Sequence, residues 1–431
     1  MNAEHPTTDD GTLDVSSSRL SGSRLIHGVR SGAKDVGDLN LFDFLSGFAL
    51  IVLAGLVPTV GGVPTQELLI GVLVFIAFFR TPAHQLRVTR NLVPVFAGGF
   101  IFIAIVSATA VSTPDASEWK MRLLRIAATT VYAYCLATDR INLKATVYGF
   151  AAALVLNVPA NYVFGLAYSD SYGEFLTGFI SDKNVAGLAY CVLGVLFFAY
   201  QKTRVSQGLA AAGAMGALYL TGSRTSMAAF AFAALWIVLS PKLPNIVKWA
   251  LALGMFWVIE YIENNFAQAG AFEDRQGSDI LRNRIDAASE IKVNEAPWYG
   301  NGLGEAYVYL DDRTWFFHNS FWTAQVEGGY PWLILVLLLT LFAMGRPFKS
   351  LMSRDQLVAQ ALAVAILLCA SRLGEVFFTL FWGLAMAYAM QSERTDAGLV
   401  KRMEEEGSDL RPLATQPARS KKRGGGQSIK S

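Results

Sequence analysis

Long apolar runs recur from residue 41 to residue 391, separated by short polar stretches, and most approach the length that crosses about 30 Å of hydrocarbon as a helix. They fall near 41–62, 66–80, 92–112, 121–138, 144–166 and 184–201, then near 207–221, 225–241, 245–262, 320–344, 356–371 and 374–391. This pattern predicts an all-α fold, a polytopic transmembrane bundle of about 12 spans. One polar segment of real size, 263–319, interrupts it as a large loop. There Asp279–Ile291 carries Leu281, Ile285, Ala288 and Ile291 on one helical stripe, with Ser278 available as a cap and Pro297 marking the end. In that register Arg284 borders the stripe and Arg282 points away. No internal repeat is evident. Residues 1–40 and 392–431 cannot bury a core and predict disordered arms, the first without the apolar stretch of a secretory signal.

Basic residues give the bundle an orientation. They collect in alternate loops: Arg19 to Lys34, Arg80 to Arg90, Arg140 and Lys144, Lys202 and Arg204, Lys242 and Lys248, Arg346 to Arg354, and the C-terminal tail. By the positive-inside rule both termini are cytoplasmic, and the 263–319 loop lies on the outer face of the cytoplasmic membrane. A 53% hydrophobic composition with 16% charged residues agrees with a membrane protein, the lipid bilayer being its first partner. The net charge of +2 leaves no basic field, so nucleic acid is not expected as a partner. Cys135, Cys191 and Cys369 each lie in an apolar run and read as small buried residues.

Candidate chemistry gathers on the outer side. His5, His27 and His84 fall in cytoplasmic segments, which leaves His318 for proton transfer there. Around it stand Trp298-Tyr-Gly300-Asn-Gly302-Leu-Gly304, then Phe317-His318-Asn319, then Glu327-Gly328-Gly329. The glycines permit positive φ and close backbone approach, which can bring amides onto a sugar or phosphate. Glu327, about two helical turns into a span, is an ionisable group where burial is costly and function is the default hypothesis. Arginines at the outer boundary are anomalies: Arg122 and Arg125 share one helix face, Arg224 sits in the turn Gly222-Ser-Arg-Thr225, and Arg284 and Arg372 follow. Guanidinium groups suit a phosphate, although snorkelling or carboxylate pairing, such as Arg372 with Glu375, is the alternative. Asp182, Lys183 and Asn184 form a further polar knot in which Asp182 can cap a helix. Trp315, Phe316 and Phe317 suit either a sugar ring or the membrane interface, and Asp311, Asp312 and Arg313 read as solvated loop. No Asp-x-Asp or His/Glu ligand pattern occurs on this side, so neither metal nor cofactor is expected.

Taken together these features resemble the superfamily of O-antigen ligases and O-antigen polymerases. Three stretches carry the resemblance: Ser181-Asp-Lys-Asn184-Val-Ala-Gly187, Thr221-Gly-Ser-Arg-Thr-Ser226, and Gly300-x-Gly-x-Gly304 leading to His318-Asn319 and Glu327-x-Gly329. It covers residues 180 to 345 in detail and the remainder as a span pattern; where a further Gly is common after the Glu-x-Gly unit, this chain has Tyr330-Pro331-Trp332. The resemblance implies a metal-independent, inverting glycosyltransferase that moves a glycan from an undecaprenyl-diphosphate carrier to a saccharide or glycolipid acceptor, with polysaccharide assembly proteins as possible partners. It makes Arg224, Arg284 and His318 the counterparts of essential family residues. His318 would act as base while Arg224 and Arg284, with Arg122 and Arg125, neutralise the diphosphate. Asn184, Gly300, Gly302, Gly304, Asn319 and Glu327 complete the expected binding set. Ligation and polymerisation are both compatible with these residues. A solute transporter of about 12 spans is the rival class, and a non-catalytic scaffold is a second.

Overall fold

The computed structural model describes residues 40–83, 86–110, 118–166, 174–180, 182–265, 276–348 and 352–393. The two terminal arms fall outside this set, except for residue 40 and residues 392–393, as do His5, His27, His84, Asp115, Asp170 and Ser181. The helices are α1 Leu41–Leu56, α2 Thr65–Phe78, α3 Arg87–Thr109, α4 Trp119–Ala137, α5 Leu143–Tyr162, α6 Lys183–Tyr200, α7 Arg204–Thr221 and α8 Arg224–Leu239. Then come α9 Asn245–Asn265, α10 Gln276–Glu295, α11 Ser320–Leu338, α12 Arg354–Ala370 and the described part of α13, 380–393. Among the described residues five segments are long and apolar enough to cross a membrane: Leu92–Thr109 in α3, α5, α6, Arg224–Lys242 and Ser320–Gly345. The helical architecture agrees with the expectation, and length and composition by themselves mark these five rather than the expected dozen as spans. Helices α1 and α2 and the Asn245–Ile259 part of α9 are apolar but shorter, and α4 carries Lys120, Arg122 and Arg125 in its first turns.

Two short antiparallel hairpins modify the all-α expectation. β1 Thr59–Val60 pairs with β2 Val63–Pro64 across Gly61 and Gly62, so the apolar run 41–62 ends as helix at Leu56. β3 Tyr307–Leu310 pairs with β4 Arg313–Phe316 across Asp311 and Asp312, at φ 52° and 58°. Positive φ at both central residues is what a two-residue hairpin turn of the first primed type requires.

Close backbone approach holds the bundle together. α1 lies against α5 with Gly47 over the Thr146 carbonyl and Gly149 over the Phe44 carbonyl, where an added Cβ would stand 2.2 and 1.9 Å from the oxygens. Small residues at helix crossings are how apolar helices gain contact when lipid supplies no hydrophobic contrast. At one end of this pair buried Asp43 accepts from Arg80 Nη1 at 2.6 Å and from the Asn142 amide at 2.9 Å. Below α11 the chain continues as a π-helix, Leu339–Gly345, whose last carbonyls need partners. Gln356 and Gln360 of α12, both fully buried, donate to Met344 O at 2.9 Å and Gly345 O at 2.7 Å. The three cysteines are buried and free.

A second, smaller core of Ile285, Val293, Ala306, Val308, Phe317 and Val326 joins α10, the β3–β4 hairpin and α11. α10 is already helical at Gln276, so Ser278 does not cap it, and it ends just before Pro297 as expected. Its buried positions are Ile285, Ser289 and Val293, spaced i, i+4, i+8, with Leu281 and Ala288 packed beside them. Ile291 falls off that face and is exposed. Lys292 ties α10 to the hairpin, donating to Tyr307 O at 3.0 Å with its ammonium 4.0 Å from the Tyr307 ring centre.

Candidate functional site

The break in α11 organises the site. Pro331 has no N–H to offer the Glu327 carbonyl four residues back, and Gly329, at φ 65° and ψ −166°, leaves the helix altogether. The freed groups find partners in the preceding loop. Val326 O accepts from Asn301 N at 2.7 Å, Glu327 O accepts from Gly302 N at 2.9 Å, and Tyr330 N donates to Trp298 O at 2.9 Å. Gly304 N donates to Glu327 Oε1 at 2.9 Å, and Leu303 N to Ser107 Oγ of α3 at 2.9 Å. Gly300, Gly302 and Gly304 have φ of 87°, 97° and 92°, which lets the loop lie flat on the broken helix. The amides of Gly302 and Gly304, expected to meet a sugar or phosphate, are therefore committed to α11, and Gly300 N donates to Pro297 O. The reason lies in Pro331 and Gly329, which strip α11 of its own donors.

Glu327 is 2% exposed, so its charge needs partners within the protein. Arg122 of α4 meets it through Nε at 2.9 Å and Nη2 at 2.9 Å. Arg122 Nη1 turns instead to Glu375, whose second oxygen accepts from Arg125 Nη2 at 2.9 Å. Glu375 thus pairs with Arg122 and Arg125. Burial alone would raise the Glu375 carboxyl; attraction to Arg122 and then Arg125 outweighs this and holds it at about 2. A small cleft with about 30 Å³ of space for solvent opens here, lined by Arg122, Arg125, Ser320, Thr323, Glu327 and Glu375 with an apolar wall that includes Ile126, Trp332 and Phe378.

Glu375 arrives on the loop 371–379, which was expected to be helical from residue 374 but precedes α13 as irregular chain. Gly374 lets that loop press on the segment before α11, since a Cβ there would lie 1.8 Å from Phe317 O. Ser320 Oγ donates to Leu373 O and accepts from Val376 N, and Thr323 Oγ1 donates to Gly374 O at 2.9 Å. From α10, Arg282 Nη2 donates to Arg372 O at 2.6 Å.

His318 stands at this junction. Its Nδ1 lies 3.5 Å from Asp286 Oδ1, close enough for an ion pair if the imidazole is protonated, and both atoms are buried with no hydrogen bond among the described residues. Phe317 beside it is buried in the small core, which takes it away from a sugar-stacking role, whereas Phe316 is exposed. Asn319 serves as the N-cap of α11, its side chain accepting from Phe321 N at 2.9 Å and Trp322 N at 3.3 Å. This is a structural task where substrate binding was expected.

The two loop arginines exchange the faces expected of them. Arg284 is exposed and held by Asp311 through 2.7 and 2.9 Å bonds, which raise the arginine and lower the carboxyl relative to their ordinary values. Arg282 is the one turned inward, because the i, i+4 face through Ile285, Ser289 and Val293 carries it and Asp286 along.

Arg224 and Asn184 lie at neighbouring helix ends. Gly222, at φ 63°, closes α7, and Arg224 is the first residue of α8. Ser223 makes no side-chain cap bond to α8 and instead donates to Ser226 Oγ at 2.9 Å. Asp182 does cap α6, accepting from Asn184 N and Val185 N. Gly187 brings α6 onto the Ser223 turn. Neither Arg224 nor Asn184 lines the cleft, and neither do Arg284 and His318. Sequence reasoning missed Asp286 and Arg282 as site residues, although their i, i+4 spacing on α10 places them on one face. Among the described residues no group of three or more His, Cys, Asp or Glu converges as a metal site would require. No known family profile matches the chain, and no curated protein matches it.

Proposed function

We propose that the chain is a membrane glycosyltransferase that moves a glycan from a polyprenyl-diphosphate carrier to an acceptor saccharide at the outer face of the cytoplasmic membrane. The observation that carries the reading is the His318–Asp286 pair beside an arginine-bearing cleft. With Nδ1–H directed to Asp286, Nε2 of His318 accepts the proton of an acceptor hydroxyl, whose oxygen attacks the anomeric carbon. The bond from that carbon to the diphosphate oxygen breaks, and the electron pair leaves with the polyprenyl diphosphate. Displacement of this kind inverts the anomeric centre. Guanidinium groups meet the departing charge: Arg122 and Arg125 from the cleft, and Arg224 from the α7–α8 turn. If each apolar helix crosses the membrane once, the starts of α4, α6, α8 and α11 share one side, and Arg122, Asn184, Arg224 and His318 face one compartment. Ligation to a terminal acceptor and polymerisation are equally accommodated.

A broken span with a buried ion pair is also how many transporters build a binding site. There the amides and carbonyls of the break face the ligand; here Val326 O, Glu327 O and Tyr330 N are occupied by the glycine loop, which favours the enzyme. The test is transfer from a defined lipid-linked donor by the purified protein. His318→Ala lowers the rate by about 10²-fold or more at unchanged expression. Wild-type transfer by that variant removes His318 from the mechanism, and radiolabelled uptake in proteoliposomes without transfer reassigns the chain as a transporter.

A further inference from the structure

The two carboxylates on Arg122 are not equivalent. Glu327 is buried, accepts from Arg122 Nη2 with Nε 2.9 Å from its other oxygen, and is fixed from behind by the Gly304 amide. Glu375 is 41% exposed at its side chain, sits on a loop, and bridges one nitrogen of Arg122 to one of Arg125 with its two oxygens. A phosphoryl group with two free oxygens makes the same bridge. We infer that the cleft between α4, α11 and the 371–379 loop is a binding site for a diphosphate carrying an apolar chain, and that Glu375 occupies the phosphate position on Arg122 and Arg125 until the ligand displaces it.

Three features support this. Apart from its polar end the cleft is walled by Ile126, Trp332, Val336, Phe377 and Phe378, a lining suited to a hydrocarbon tail next to a charged head. Glu67, the other carboxylate in the field of Arg125, is not on the cleft wall, so displacement of Glu375 frees the arginine on the cleft side. The backbone of residues 373–376 is held by Ser320 and Thr323, so the half-exposed side chain of Glu375 is the part that turns away when the ligand enters. The Phe378 ring is clamped between Trp332, stacked at 5.3 Å, and Trp382 at 4.7 Å, so it anchors one end of the loop while Glu375 swings.

This inference rests on the proposed function only for the diphosphate chemistry of the ligand, and its test needs no turnover. The full chain in lipid nanodiscs is titrated with inorganic pyrophosphate and with farnesyl diphosphate, as wild type, Glu375→Gln and Glu375→Gln/Arg125→Gln. Glu375→Gln removes the competing charge and tightens binding of the farnesyl compound by about 10-fold, and the added Arg125→Gln abolishes that gain. Tighter binding of farnesyl diphosphate than of pyrophosphate assigns the site to a lipid-borne head group, whereas equal binding assigns it to a soluble diphosphate. Unchanged or weaker binding of both probes in Glu375→Gln overturns the inference. Should that variant not purify folded, Glu375→Asp, which retracts the same charge by one methylene, must show the same direction. A protein that binds the farnesyl compound in this order but transfers no glycan refutes the enzymatic reading and leaves the site intact.

Discussion

Asp286 Oδ1 lies 3.5 Å from His318 Nδ1, and neither atom makes a hydrogen bond among the described residues, which makes Asp286 a sharp probe of the proposed pairing. A hydrogen bond to a charged partner contributes about 1.5–3 kcal/mol. The Nδ1 to Oδ1 separation of 3.5 Å is long, and the side chains are 32% and 24% exposed. Both facts lower the value, to about 1–1.5 kcal/mol, which corresponds to about a 5- to 15-fold loss in rate for Asp286→Ala. On the proposed mechanism Asp286 acts by positioning the imidazole, so the expected loss falls on kcat and leaves KM near wild type. The decisive variant combines Asp286→Ala with His318→Ala. If Asp286 works only by orienting His318, the double variant is no slower than His318→Ala alone. The assay is initial-rate product formation from one defined lipid-linked donor, at matched amounts of purified protein. Losses that multiply in the double variant, or an Asp286→Ala defect confined to KM, refute the pairing.

Gly329→Ala forces a Cβ to within 1.9 Å of Trp298 O at a φ/ψ that only glycine occupies readily; the expected cost exceeds about 3 kcal/mol, and an unchanged Tm in detergent contradicts the described break. Arg282→Ala frees the 371–379 loop by removing the bond to Arg372 O and lowers both Tm and transfer, while Arg284→Ala, which cuts only a solvated pair with Asp311, stays close to wild type in both; the opposite order means that α10 presents another face. Glu375 titrates near 2 when folded, below its ordinary 4.5, so its ion pairs contribute fully above pH 4.5 and fade as pH falls toward 2. Melting curves of wild type and Glu375→Gln therefore converge across that window, and a constant difference contradicts the pairing. Arg224→Lys keeps the charge but not the guanidinium fork and is expected to lose transfer; full activity shows that charge alone suffices there.

Helices were the most legible part of the chain because apolar length is a one-dimensional signal: the runs near 144–166, 184–201 and 245–262 correspond to α5, α6 and α9 to within a few residues. Both hairpins were signalled too, by Gly61-Gly62 and Asp311-Asp312 between β-branched and aromatic residues, but hydropathy windows merge the first with its helix and read the second as loop. His318, Glu327 and the glycine triplet were found by their rarity on one side of the bundle. What they do there depends on contacts distant in sequence, such as Gly302 with Glu327, or Arg122 with Glu375. Arg282 and Arg284 show the limit most clearly: a short amphipathic helix has a face, and a shift of about a third of a turn decides which arginine looks inward.

The break in α11 also bears on how the protein is made. The amides of Asn301, Gly302 and Gly304 leave the ribosome before Val326 and Glu327, so they lack these acceptors until the following helix has formed. Nor can that helix keep its bend in lipid without those donors, because a freed carbonyl in hydrocarbon has nowhere else to turn. If α11 crosses a membrane as its length and composition allow, it keeps this bend only once the loop has closed on it. A chimera that exchanges residues 276–319 with another protein's loop must carry the first turns of α11, through Trp332, or it will present an unfinished helix to the membrane.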